Sequence, residues 1–455
     1  RLEARVGKRV HDPDSDRACA DDEYRLHFAL VHHGNLCCIA EYHTIPPIRY
    51  AIRTDIILSG SRVFTPSRHK IQGQVSTVSN QAAIDAAILE SVTRLARQAA
   101  SLAKRNDADE SYAPELWEAV KSIGLSALMI PEACGGAGAS VRLFCEVVEL
   151  LAVTDATTAT LVHLQGNNAY LIRFAPDQDV SEPLLAEIAE KSLLSAYALT
   201  EPGAGSDAAQ IQATARPDGN GYRLNGTKCF SSWASLADIV LVFARITTLP
   251  GREAISCFAV RPPQDGFVIS RREKKMGLRA APLCEISLQD LWVPQSACLG
   301  AQGLFRQALA ALDYSRVGIA AMAAGLAQGA FDYALQYVLE RKIYSGPLAD
   351  LQGVQFILAD MATEIECARL LTFEAARRAD SNLPFARHAS MAKYFASDAA
   401  MKATTNAVQL LGGHGYTAEH PVERMMRDAK AIQIFEGANE LQRALVFRAL
   451  RKERS

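Results

Sequence analysis

The chain has 455 residues, 49% of them hydrophobic, with 48 basic against 50 acidic residues and a formal net charge of −2. This is enough apolar material for two or three domains with a sizeable core, and the balanced charge argues against a nucleic-acid partner. No window approaches the roughly 20 apolar residues that span a bilayer, and the ten cysteines, without paired spacing, read as reduced thiols of an intracellular protein.

In chain order, residues 1–76 are read as an atypical N-terminal extension, expected to be disordered or non-native. It holds His11, His27, His32, His33, His43 and His69, six of the ten histidines, and starts at Arg1, as a fragment, processed product or extended reading frame would. The run His32-His33 to Cys37-Cys38, with His43 beyond, lacks the paired spacing of a structural zinc site, so no metal is expected. The early acids Asp12, Asp14, Asp16, Asp21, Asp22 and Glu23 argue against a secretory or mitochondrial leader.

From about Gln81 the apolar residues Ile84, Ile88, Val92, Leu95 and Ala99 recur at helical spacing. Pro114 opens a second helix that Gly124 ends. A glycine-rich loop follows at 131–139, then helical patterning through 141–172. Residues 77–196 are read as an N-terminal helical domain. The middle, 197–302, changes to short strands. Asn-Gly pairs at 220–221 and 225–226 flank an alternating run, and further strands fall at 238–245, 255–260, 267–269 and 284–291. After Gly303 long Ala- and Leu-rich helices return, as in a bundle. The fold class is thus α+β multidomain: N-terminal helices, a middle antiparallel β-barrel or sandwich, and a C-terminal four-helix bundle over 303–455. A strand block between helical blocks argues against a βαβ dinucleotide fold.

Two segments carry chemistry. In Tyr197-Ala-Leu-Thr-Glu-Pro-Gly-Ala-Gly-Ser-Asp207, Gly203 and Gly205 free the backbone for close approach to a ligand, and Thr200 and Ser206 offer hydroxyls; an ordinary Pro-Gly turn is the alternative. In Gln433-Ile-Phe-Glu-Gly-Ala-Asn-Glu-Leu-Gln-Arg443, Glu436 follows an apolar run. A carboxylate there is costly unless used, though an acidic helix start would look the same.

Leu199-Thr-Glu-Pro-Gly-Ala-Gly-Ser-Asp207 resembles a signature of the acyl-CoA dehydrogenase family. Lys228-Cys-Phe-Ser-Ser232, Lys275-Met-Gly-Leu-Arg279, Leu312-Asp-Tyr-Ser-Arg316, Glu340-Arg-Lys-Ile-Tyr344 with Gln352, Gln409-Leu-Leu-Gly-Gly-His-Gly-Tyr416 and Pro421–Asp428 follow in the family's order, over about residues 80–452. The resemblance implies FAD as cofactor and α,β-dehydrogenation of an acyl-CoA to a trans-2-enoyl-CoA, as in fatty acid β-oxidation, with electrons passing to an electron-transfer flavoprotein. It implies that Tyr197, Leu199, Thr200, Ser206, Phe230, Ser231 and Ser232 line the flavin, and that Ser206, Asp313 and Arg316 meet substrate. Arg341, Ile343, Leu351, Gln352, Gln409, Leu410, Leu411, Gly412 and Gly413 would reach a neighbouring subunit's FAD in a homotetramer. Gly437, Ala438, Asn439 and Glu440 would complete its adenosine end. Glu436 matches the family's catalytic base, while the alternative base position, before Arg316, is Ser315.

Residues 173–181 lack a Gly-x-x-x-Gln-Lys run, Ser345 replaces a usual Gly, and Leu283 stands for a frequent Thr. No Arg occurs in 157–163, where glutaryl-type relatives carry one, which disfavours a dicarboxylyl substrate. A flavin-dependent acyl-CoA oxidase or monooxygenase on the same fold, and a non-catalytic assembly factor, are the alternatives. The expected location is bacterial cytoplasm, or the mitochondrial matrix in a eukaryote.

Overall fold

The computed structural model of the protein describes residues 68–344 and 346–454. The metal reading of the early His and Cys residues, and the departure at Ser345, lie outside them. Helix α1, Arg68–Ala108, begins upstream of the point where the apolar period sets in. Helix α2 (Pro114–Ser122) has Pro114 in its first turn, where a missing N–H costs nothing, and the chain leaves it through Gly124 at φ +75°. Ser140 caps α3 (Val141–Ala152) by accepting from the Leu143 N–H. Asp380, near the far end of the chain, adds its carboxylate to the Val141 and Arg142 N–H groups at 2.7 and 3.0 Å. Negative charge at a helix N-terminus is favourable, so this contact ties the N- and C-terminal helices together. Asp155 caps α4 (Ala156–Arg173), which is buried along nearly its whole length; α5 (Gln178–Lys191) follows.

Seven strands form one sheet: β1 (Ser195–Ala198), β2 (Thr214–Asp218), β3 (Gly221–Ser232), β4 (Ile239–Ile246), β5 (Ile255–Val260), β6 (Phe267–Arg272) and β7 (Leu283–Pro294). The order is β1-β4-β2-β3-β7-β6, with β5 on β4. The β2–β3, β3–β7, β6–β7 and β4–β5 pairs are antiparallel. β1 and β2 instead run parallel to β4. The Asn220-Gly221 pair marks the β2–β3 hairpin, whereas Asn225-Gly226 lies inside β3 at a register shift; such short-range signals carry no information on strands brought together by long connections. Gln165 of α4 bonds both the N–H and the C=O of Ser195, at 3.0 and 3.1 Å, and so extends the edge at β1 as a strand would.

The C-terminal helices are α6 (Phe305–Glu340), α7 (Gln352–Asp380), α8 (Ala386–Leu411), α9 (Val422–Ile432) and α10 (Asn439–Lys452). Three long helices pack together and the two short ones lie on α8. Helix α6 is long and apolar enough to cross a membrane by length and composition, which corrects the reading that no window qualifies. Of that window 72% is buried inside the fold, as in the central helix of a bundle.

Candidate active site

The loop between α9 and α10 carries Glu436. Glu436 and Gly437 are both left-handed, at φ +54° and +89°. This is free for glycine and costs a non-glycine residue of order 1–3 kcal/mol, retained where the surroundings over-determine it. Gln442 of α10 donates to the carbonyls of Glu436 and Gly437 at 3.2 and 3.0 Å. The residue as a whole keeps some accessible surface, but Oε2 is buried and has no hydrogen-bond partner among the described residues. Phe435 packs against the core beside it. Loss of solvation pushes the Glu436 pKa up; hydrogen bonding from Ser315 and the charges of Arg316 and Lys393 oppose the rise. Tyr197, whose buried hydroxyl also lacks a partner, feels the Glu436 charge. The fold therefore brings together a carboxyl on the α9–α10 loop, Ser315 and Arg316 of α6, Lys393 of α8 and Tyr197 of β1.

The second half of the site is the end of β3 and the turn after β1. The Cys229 N–H donates to Thr200 O at 2.9 Å. Lys228, wholly buried, donates to Glu201 Oε1 at 2.7 Å and Leu199 O at 3.1 Å. The Glu201 carboxylate also accepts from the Gln212 and Ala213 N–H groups, at 2.5 and 2.9 Å. Leu199 and Thr200 are thereby fixed against β3. A register shift between Lys228 and Ser231 is the two-against-one pattern of a bulge. It leaves Phe230 left-handed, at φ +56°, and 60% exposed. Ser231 Oγ and Trp233 Nε1 are buried without hydrogen-bond partners among the described residues.

Asp313 and Arg316 pair with each other one helical turn apart, largely buried, with Arg316 Nε unpartnered. This is the helix-pair geometry of spacing i, i+3. Burial pushes the Asp313 carboxyl up and Arg316 opposes it. Ser206 is exposed on its turn. Arg341, Leu351, Gln352, Gln409, Gly412 and Gly413 lie exposed at helix ends of the bundle, with Ile343 half-buried. Leu410 and Leu411 are core residues, so only their backbone is free to meet a ligand. Ala438 is half-buried and Glu440 exposed. Asn439 is buried, its amide oxygen taken by Lys393 and Ser397 and its NH₂ by Ser397 and Asp398. Its side chain braces the loop and has little left for a ligand.

Sequence reasoning missed Lys393, Gln442, His163 and the Glu201–Lys228 pair. Lys393 had a signal: Ala389, Ala396 and Ala400 share its helix face and are buried, so a lysine there stands on a core stripe. His163 had none, since α4 buries polar residues such as Gln165, Asn167 and Asn168 on several sides and no single one stands out. Its Nε2 lies 3.2 Å from Ser315 Oγ, and Gly318 makes room for it, because a Cβ there would lie 2.6 Å from His163 Nδ1.

The helical–sheet–helical fold thus holds a buried carboxyl, opposed by Ser315, Arg316 and Lys393, and, at the end of β3, polar atoms unpartnered among the described residues and an exposed aromatic ring. Family models for the N-terminal, middle and C-terminal domains of acyl-CoA dehydrogenase match residues 85–191, 196–291 and 302–451. The chain belongs to the acyl-CoA dehydrogenase family. It is 41% identical over 362 residues to the cyclohexane-1-carbonyl-CoA dehydrogenase of Geobacter metallireducens, covering 79% of this chain and 94% of that one. It is similar to the solved butyryl-CoA dehydrogenase of Megasphaera elsdenii, with TM-score 0.78 and 36% identity over 81% of this chain and 98% of that one. A glutaryl-CoA dehydrogenase of Mycobacterium smegmatis solved with FADH2 matches at TM-score 0.75 and 25% identity, over 80% and 94% of the two chains. The protein is an oxidoreductase and its cofactor is FAD.

Proposed function

We propose that the protein oxidises a monocarboxylic acyl-CoA thioester to the trans-2-enoyl-CoA, with Glu436 as the base. The observation that carries this is the Glu436 carboxyl: buried, with an unpartnered Oε2 and a pKa raised by desolvation. A poorly solvated carboxylate is a stronger base than one in water. The thioester α-proton is weakly acidic, so its removal needs the enolate oxygen stabilised. The Glu436 N–H, which has no backbone acceptor among the described residues, is a donor available for that oxygen. FAD, when bound, supplies the acceptor for the β-hydride. Leu199, Thr200, Phe230, Ser231 and Ser232 would hold its ring, and the orphaned Ser231 and Tyr197 hydroxyls and Trp233 N–H are the groups a polar-edged ring would satisfy.

Residues 157–163 hold no arginine and are buried apart from Thr160, which supports an acyl chain without a second carboxylate. The exposed helix-end residues from Arg341 to Gly413 support a homotetramer in which each FAD is shared between subunits, and the family supports an electron-transfer flavoprotein as electron acceptor. Anaerobic titration of the flavin band with straight, branched, cyclohexane-1-carbonyl and glutaryl-CoA tests the reading. Bleaching by one of the first three and not by glutaryl-CoA is expected; no bleaching by any acyl-CoA would sink it. Rapid oxygen uptake by the reduced enzyme would make it an oxidase.

A further inference from the structure

Behind the base lies a polar cluster that the reaction as derived does not use. Lys393 of α8 is 0% exposed and has no carboxylate within 4 Å among the described residues. A buried ammonium without a contacting counter-charge costs several kcal/mol, and a helix core normally uses an apolar residue there. Its donors go to Gly437 O and Asn439 Oδ1, each at 2.9 Å. Both acceptors belong to the segment that follows Glu436. Asn439 is in turn held by Ser397 and Asp398, one turn further along α8, and Asp398 also accepts from Gln433 at 2.7 Å, before the base. A single helix thus grips the loop on both sides of Glu436. Gln442 of α10 shares the Gly437 carbonyl with Lys393 and also donates to that of Glu436.

We propose that Lys393 is a positioning residue for Glu436: it pins the left-handed Glu436–Gly437 turn to α8 and so fixes where the carboxyl points. The proposal rests on the reading of Glu436 as the base. Two left-handed residues in succession have no ladder of backbone bonds to hold them, so the turn persists only if its carbonyls are taken from outside. A neutral amine would keep both hydrogen bonds; the positive charge adds an attraction to the ionised Glu436. The charged groups facing Lys393 are Glu436, Arg316, Asp398 and Glu440.

The test uses K393M and K393Q holoenzymes beside E436Q. Stopped-flow flavin reduction is expressed per bound FAD, with KM, the pH profile and hydrogen–deuterium exchange of residues 433–442 in ligand-free protein. K393M is expected to slow reduction roughly 10- to 100-fold, the scale of a small misplacement of a reacting group. KM should stay within about twofold and exchange of the loop should accelerate about tenfold, in proportion to the loss of local protection. The acid limb of the pH profile should move to higher pH, and K393Q, which keeps an N–H donor, should recover part of the rate. If K393M does not fold, Q442A removes the other side-chain donor to the same turn and carries the same expectation. Parent rates per bound FAD with unchanged exchange, or loss of FAD without loss of rate per flavin, would overturn the proposal. Parent-rate reduction by E436Q would instead overturn the base assignment itself.

Discussion

Two lysines, Lys228 on the sheet side of the site and Lys393 on the bundle side, are both fully buried, yet they are neutralised differently. Lys228 touches a carboxylate, Glu201, which is itself satisfied by two backbone N–H groups. Among the described residues Lys393 hydrogen-bonds a backbone carbonyl and an amide oxygen, and the negative charges it feels, led by Glu436, make no salt bridge with it. Burial lowers both pKa values, that of Lys393 to about 8, while Glu201 opposes the fall at Lys228. The first arrangement is a closed ion pair that holds the turn after β1 against β3. The second leaves a charge only partly compensated, facing the Glu436 carboxyl.

The largest effect comes from removing the charge that Lys393 faces. E436Q should keep FAD and lose flavin reduction by about 10²–10⁴, the range for a general base. Rapid-mixing spectroscopy checks it, and a rate near the parent's would show that this side of the site holds no base.

Breaking the other side should cost stability first. E201A leaves Lys228 buried beside only the Leu199 carbonyl, and removing one partner of a buried pair costs about 3–5 kcal/mol. K228M should cost less, because Glu201 keeps its two N–H donors. Urea unfolding of the holoenzymes measures both. Equal losses in the two variants would mean that the pair is not the closed unit its geometry describes.

A pH series sharpens the contrast. For Lys393 the folded pKa is about 8 against about 10.4 for a free lysine. Between these values the unfolded chain binds the extra proton, so this group's contribution to stability rises as pH climbs from about 8 to 10.4, and its cost is fully present below 8. K393M should therefore flatten the alkaline stability curve relative to the parent. If the slope survives in K393M, the titrating group lies elsewhere.

How much of this was legible follows from what each residue owes to local pattern. Glu436, Thr200 and Phe230 sit in contiguous motifs whose glycines and apolar flanks can be read directly. The helical–sheet–helical order was carried by period changes along the chain. The parallel pairing of β1 and β2 with β4, and the meeting of residues 163, 315, 393 and 436, are set by packing between segments far apart in sequence, for which periodicity has no term. Asn439 is the converse case. Its motif was readable, but its side chain is consumed inside the loop and is little available to the adenosine end of a cofactor.

The smallest effect concerns Ser315, the position where a base could have stood. Its hydroxyl favours the ionised Glu436, and His163 decides which way that hydroxyl points. Burial lowers the His163 pKa to about 3, so the ring is neutral and carries one N–H. Nδ1 is buried without a partner. An unpaired lone pair there is less costly than an unpaired N–H, which places the hydrogen on Nε2. Nε2–H then donates to Ser315 Oγ across 3.2 Å, and the hydroxyl hydrogen is left for the carboxylate. S315A removes that donor, so the ionised form of Glu436 loses support and its pKa rises further. The acid limb of flavin reduction should move to higher pH by about one unit, the equivalent of one hydrogen bond to a charged group, with the plateau rate nearly intact. H163F should move it the same way by less, because the hydroxyl survives but loses its orientation. A pH profile identical to the parent's in S315A would show that Lys393 and Arg316 alone hold the base in tune.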